Sequence, residues 1–449
     1  MTMTLGVSPQ QFPQEAPAKV QLALPRKGTR WAGKARSGPR SKSAASGFPG
    51  PMDRRRFLAS SGLLAFTIAK PQWVWASQAA STIKLGLIGC GGRGNWIADL
   101  FRQHGGYQFI AVADYFPDRA LNTGKRLGLP EDKCFSTLSG YKRLLDAKPD
   151  AVVIESPPYF HPDQTWDAVE AGCHAFVAKP IAVDVPGCQR FLQAGQRATQ
   201  KKLCVLVDFQ TRANPLYQEC VQRVRQGDIG PIVSAEAVYY TGSTWGGPVE
   251  LKDPETRMRL WGRDRILSGD IITEQNIHAL DVATWFLDRD PIRAYGACTR
   301  RGRQDPAAAS DLLCHDAFCC VFLFPDDIPL SFSSKQYGTG IEDIGCWVFG
   351  PRGTAETHYF GQVLIRGEKS YKGGKLGNLY TEGAVANIAA FHQAITQGNF
   401  QNPTVAPSVR SNLTTILGRT AAYRKAEVSW DQMLQAAEKF EFPLDQLKS

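Results

Sequence analysis

At 449 residues, with 43% apolar and 21% charged residues, the chain has room for two domains and the composition of a soluble globular protein. Its net charge of +10 would suit a polyanion partner, but the whole excess lies within residues 1–81 and leaves residues 82–449 neutral. That distribution argues against nucleic acid as a partner, and eleven scattered cysteines argue against a disulfide framework.

Residues 1–51 are rich in Pro, Gly, Ser and Lys/Arg without apolar periodicity, and are expected to form a disordered extension. Residues 52–79 read as a signal peptide. A charged start, Asp53-Arg54-Arg55-Arg56, leads into the apolar run Phe57–Ala69 and a small-residue, cleavage-like site at Val74-Trp75-Ala76. The run is shorter than the about 20 residues a stable anchor needs, so no lasting membrane insertion is expected. Arg54-Arg55 followed by Arg56-Phe57-Leu58 resembles the twin-arginine export signal, which implies the export machinery as a partner and a periplasmic destination. Because a signal peptide works from an N-terminus, Met52 is the expected start of translation.

From Thr82 the pattern changes. Thr82–Gly89 is a short apolar run suited to a buried parallel strand, and Asn95–Phe101 reads as a helix. Between them lies Gly89-Cys90-Gly91-Gly92-Arg93-Gly94, a G-x-G-x-x-G in the strand–loop–helix setting that gives this motif its meaning. Gly89 suits the tight turn, Gly91 lets backbone approach a pyrophosphate, and Gly94 lets helix and strand pack closely. A second strand, Phe109–Ala113, ends at Asp114, where a carboxylate accepts ribose hydroxyls and favours NAD over NADP. Helices at Ser139–Ala147, His161–Ala171 and Pro186–Gln200 then alternate with strands at Ala151–Glu155, His174–Ala178 and Leu203–Phe209. Such alternation predicts a doubly wound parallel sheet over an NAD-binding domain, residues 80–207, with residues 208–449 forming a substrate and oligomerisation domain. Ligands of such sheets bind at the carboxyl ends of the strands. Asp114, Ser156, Pro157, His161, Lys179 and Gln210 are therefore expected to face the cofactor with the glycine loop.

With these motifs, the Lys179-Pro180 pair, Glu274…His278…Asp281 and Ala421-Ala422-Tyr423…Val428-Ser429-Trp430-Asp431, residues 82–449 resemble the glucose–fructose oxidoreductase and inositol dehydrogenase family. The resemblance implies an α/β fold class: an N-terminal Rossmann domain, then a C-terminal α/β domain on a large open, mostly antiparallel sheet. It also implies a carbohydrate substrate and homo-oligomers packed through that sheet. Lys179 matches the family lysine that contacts nicotinamide and substrate, although Ala178 stands where the family usually has Glu.

Glu274 and His278 are four residues apart and would share one face of a helix. The resemblance makes His278 the general base, Glu274 the group that orients it or a substrate hydroxyl, and Lys179 the group that polarises the developing carbonyl. No metal site is expected, since Cys314–Cys320 lacks the paired ligand spacing of zinc sites. The expected function is NAD-dependent hydride transfer on a sugar, polyol or derivative with a tightly held cofactor. Two alternatives stay open: a glycosidase working through transient C3 oxidation and elimination, and a non-catalytic nucleotide- or carbohydrate-binding relative.

Overall fold

The computed structural model describes residues 82–242, 250–302 and 310–449; the expected extension and signal peptide lie outside these residues. The first sheet has six strands: β1 (Ile83–Ile88), β2 (Tyr107–Ala113), β3 (Cys134–Phe135), β4 (Ala151–Ile154), β5 (His174–Ala178) and β6 (Val205–Asp208). All pairings are parallel, in the order β3-β2-β1-β4-β5-β6. The order reverses between β1 and β4, which opens a crevice at their carboxyl ends. The strands are almost continuously buried because helices cover both faces, as a parallel sheet requires.

A second sheet takes the remaining strands: β7 (Ser234–Thr241), β8 (Arg293–Thr299), β9 (Ala317–Phe324), β10 (Ile328–Gln336), β11 (Asp343–Gly350), β12 (Gly353–His358), β13 (Gln362–Gly367), β14 (Tyr371–Lys375) and β15 (Val428–Ser429). Its order is β14-β13-β12-β11-β7-β10-β9-β8-β15, antiparallel throughout except for the β7–β10 pair. The fold is therefore the α/β pairing of a Rossmann sheet with a mostly antiparallel one.

Two late helices return to the first sheet. The Leu379–Gln397 helix buries Ile388 and Phe391 against Phe101, Tyr107 and Phe176, with Phe176 and Phe391 edge-to-face at 5.7 Å. Truncating such a fully buried Phe costs about 3–5 kcal/mol. The Val405–Arg424 helix lies between the two sheets. Its buried Asn412 accepts from Ile181 N–H at 3.1 Å and donates to the Ala182 carbonyl at 3.1 Å. Those bonds pin the loop that follows Lys179, so the second half of the chain sets the geometry at the end of β5.

Candidate active site

The glycine loop has the shape its sequence implies. Gly89 adopts φ +97°, and a Cβ there would lie 2.5 Å from the Glu155 backbone. A Cβ on Gly94 would lie 1.9 Å from the Gly89 carbonyl oxygen, so helix Gly92–His104 can sit on β1 only with glycine there. Around Gly91 a Cβ would meet nothing within 4 Å, which leaves room for a pyrophosphate at the positive end of that helix. Asp114 braces the loop: its carboxylate accepts from Cys90 N–H at 2.8 Å and Phe116 N–H at 3.0 Å. Burial raises the Asp114 pKa, and those two amides oppose the rise. Gly91, Asp114, Ser156 and Pro157 line a cleft of about 630 Å³ over the β1/β4 crevice, and this donor set fits NAD.

Three residues expected at the cofactor have side chains engaged by the protein itself. His161 is buried, with Nδ1 2.8 Å from the Pro180 carbonyl and Nε2 2.7 Å from the Ser156 carbonyl, so it struts the β4 and β5 loops together. Burial pushes its pKa down to about 4. Gln210 is fully buried and donates to Asp208 at 2.8 Å. The Arg93 guanidinium is taken by the protein: Nε lies 2.9 Å from Glu155, Nη2 pairs with Asp208, and Nη1 donates to Tyr380 at 2.5 Å. Position within the loop and at strand ends suggested cofactor contact, but internal partners claim these side chains.

Lys179 directly follows β5 and is buried. Its Nζ donates to the Glu274 carbonyl at 2.6 Å and to Glu274 Oε1 at 3.2 Å, with both side chains buried. Burial lowers the Lys179 pKa, and the Glu274 carboxylate pulls it back up. Gln275 donates to the other Glu274 oxygen and accepts from Tyr239 Oη at 2.7 Å, so a chain of bonds fixes the carboxylate.

The expectation that Glu274 and His278 share one helix face is corrected. Glu274 closes a short helix, Asp270–Glu274, while His278 is the second residue of the next, Ile277–Leu287. Between them Asn276 N–H bonds the Ile271 carbonyl at 2.8 Å, a five-residue closure of the kind that breaks helices at functional sites. Glu274 thus turns to Lys179 and makes no hydrogen bond to His278.

Among the described residues the buried Nδ1 of His278 has no hydrogen-bond partner, and the ring stands edge-on to Phe209 and Tyr359 with ring centroids at 6.5 and 5.5 Å. Burial, then the charges of Lys179 and Arg93, hold its pKa well below 6.5, so the ring is neutral near pH 7. Asp281 does not support it: that buried carboxylate takes Arg212 at 2.9–3.1 Å and Ser411 at 2.6 Å.

Sequence reasoning missed Glu155 and Asp208 as site residues. Parallel register places Glu155 one step past the Ile154–Val177 pair and so level with Ala178, which itself pairs with Asp208. Ala178 therefore has a carboxylate on either side, with Arg93 spanning both. Burial pushes Glu155 up to about 7 against the pull of Arg93. The available signal was a carboxylate closing an otherwise apolar strand. Tyr359 was also missed; its buried Oη has no partner among the described residues. Nothing in the sequence around β12 marked it.

Fold and site together define a two-domain, NAD-binding oxidoreductase. Residues 83–209 match the family model described as an oxidoreductase family with an NAD-binding Rossmann fold, and residues 217–356 match that of the GFO/IDH/MocA C-terminal domain. The chain belongs to the Gfo/Idh/MocA family. It is 29% identical to an inositol 2-dehydrogenase of Saccharopolyspora erythraea over 61% of this chain and 72% of the relative. It is 26% identical to a glycosyl hydrolase family 109 protein of Shewanella pealeana over 47% of this chain, spanning half of that relative's length. Among solved structures, levoglucosan dehydrogenase in complex with NADH and levoglucosan superposes with a TM-score of 0.64 at 17% identity, covering 78% of this chain and all of that one.

Proposed function

We propose that the protein oxidises one hydroxyl of a sugar, polyol or sugar derivative, with an NAD that stays bound and is recycled within the catalytic cycle. The observation that carries this reading is Lys179, anchored on Glu274 beside a neutral, unpartnered His278 at the carboxyl ends of the Rossmann strands. When bound, the nicotinamide supplies hydride acceptance and return. His278 takes the hydroxyl proton, and the Lys179 ammonium stabilises the oxygen as it becomes a carbonyl. Glu274 keeps that ammonium charged and aimed.

Export through the twin-arginine route to the periplasm is the second part of the proposal and rests on Arg54-Arg55 ahead of Phe57–Ala69. Free NAD is scarce there, so recycling in place favours transhydrogenation between two sugars. The likeness to a glycosyl hydrolase family 109 protein supports a second reading, in which transient oxidation permits elimination of a glycosidic substituent and the hydride is then returned. Self-association through the open sheet face fits exposed Tyr295 and Val321, which are paired across β8 and β9. Among the described residues no helix is long and apolar enough to cross a membrane.

Mass analysis of the purified protein for NAD, followed by single-turnover reduction of that NAD on adding sugars, polyols or glycosides, tests the reading. Lys179→Met and His278→Ala should each abolish the absorbance change at 340 nm. Unchanged traces in both variants would reject the assignment, and a strict need for added NAD would reject recycling.

A further inference from the structure

The adenosine end of the cofactor cleft is not built by the Rossmann domain alone. Met258 and Trp261 line it opposite Asp114 and Arg119. They belong to a helix, Pro254–Arg259, and the single turn Trp261–Arg263 that follows it. This segment grips the turn just past Asp114. Arg259 lies over the Phe116 ring at 3.8 Å and pairs with Asp118 at 3.2 Å, while Tyr115 Oη donates to Glu255 at 2.8 Å.

A second strand of chain backs the first. Leu138 N–H donates to the Lys448 carbonyl at 3.0 Å, and Lys448 N–H reaches Tyr115 Oη at 3.3 Å. Phe116, Met258, Leu267, Phe442 and Leu447 form a buried cluster of their own, separate from the two cores of the sheets. Arg257 is fixed by Asp264 at 2.5 Å and lies over Phe442 at 4.5 Å, which ties the two segments to each other.

We infer that residues 254–261 and 442–448 form a clasp that completes the adenosine subsite and holds NAD in place between turnovers. The inference rests on the retained-cofactor reading and supplies its physical means. Phe116 is at once the residue two past the ribose-binding acid and the centre of the clasp cluster. Adenosine held between Asp114 and Met258 would be walled on one side by residues that this cluster fixes in place. Loss of apolar burial in the clasp should therefore appear as faster dissociation of NAD.

The test loads the full-length protein with radiolabelled NAD and follows label release into excess unlabelled NAD. Phe442→Ala combined with Leu447→Ala should speed release at least tenfold. The far-UV circular dichroism of the double variant should match that of the wild-type chain, so that faster release is not loss of the fold. Should the double variant fail to fold, Arg259→Ala, a change on an exposed side chain, should still speed release about threefold, a typical effect of losing one surface contact to the cover. A wild-type protein that holds its label while folded variants hold it equally long overturns the clasp alone. A wild-type protein that exchanges label on mixing overturns the retained-cofactor reading itself.

Discussion

Replacing Glu274 by Gln isolates the charge that holds Lys179. The substitution keeps the shape of the side chain and leaves the bond from Lys179 Nζ to the residue-274 carbonyl, 2.6 Å in the native chain. It removes the negative charge 3.2 Å from the ammonium, in a place where both side chains are buried. At an effective dielectric of about 20, opposite charges at that distance attract by about 5 kcal/mol, and losing one partner of a buried pair typically costs about 3–5 kcal/mol. Losing that charge should therefore lower the Lys179 pKa further below its already lowered position. The protonated form exists below that pKa, so the variant should lose rate with rising pH at a lower pH than the wild-type enzyme does. The assay is single-turnover reduction of bound NAD at 340 nm between pH 6 and 9, with Glu274→Asp expected to restore the wild-type profile. A Gln variant that is folded, holds NAD and shows the wild-type pH profile would refute the pairing as the source of lysine charge.

Glu155 gives a stability signature. Its folded pKa of about 7 lies above the ordinary 4.5, so between those values the folded chain keeps a proton that the unfolded chain has released. Stability from this group therefore falls as pH rises, by up to about 3 kcal/mol, and Glu155→Gln should remove that slope from urea unfolding at pH 5 and pH 8. Parallel slopes in both proteins would contradict it. Gly94→Ala forces a Cβ to within 1.9 Å of the Gly89 carbonyl oxygen and should cost about 1–3 kcal/mol or more together with NAD retention, read by thermal unfolding and cofactor content. Replacing both Arg54 and Arg55 by Lys should leave the protein in the cytoplasm on cell fractionation; unchanged export would exclude the twin-arginine route.

The parallel sheet was legible because buried strands in a doubly wound fold are written as short apolar runs, and the glycine loop because backbone geometry leaves no other residue at Gly89 and Gly94. Helix Pro117–Leu127 escaped notice: it is polar overall and carries Gly124, whose place is set by contact with Cys134 of β3, a strand of only two residues. The site was legible as residue types but not as pairings. Spacing gave Glu274 and His278 to one helix, whereas the widened turn at Asn276 sends the acid to Lys179 and leaves the histidine alone. The internal bonds of His161, Arg93 and Gln210 were hidden for a related reason. Strand-end position says that a side chain is near the crevice, and only the three-dimensional count of partners says whether it is free to touch a ligand.

Ala178 shows what that count can change. By sequence it reads as the loss of a carboxylate next to the lysine, and so as a step towards an inactive relative. In the fold the negative charge is supplied by neighbours instead: Glu155 level on β4, Asp208 paired on β6 and Glu274 on the lysine itself. Against these three carboxylates stand the two cations Arg93 and Lys179, an excess of one negative charge if all are ionised. Burial answers that excess by lifting Glu155 to about 7, so one proton can sit in the cluster near neutral pH. The cluster around Lys179 thus carries its negative charge, and one buried acid poised near neutrality, without a glutamate at position 178.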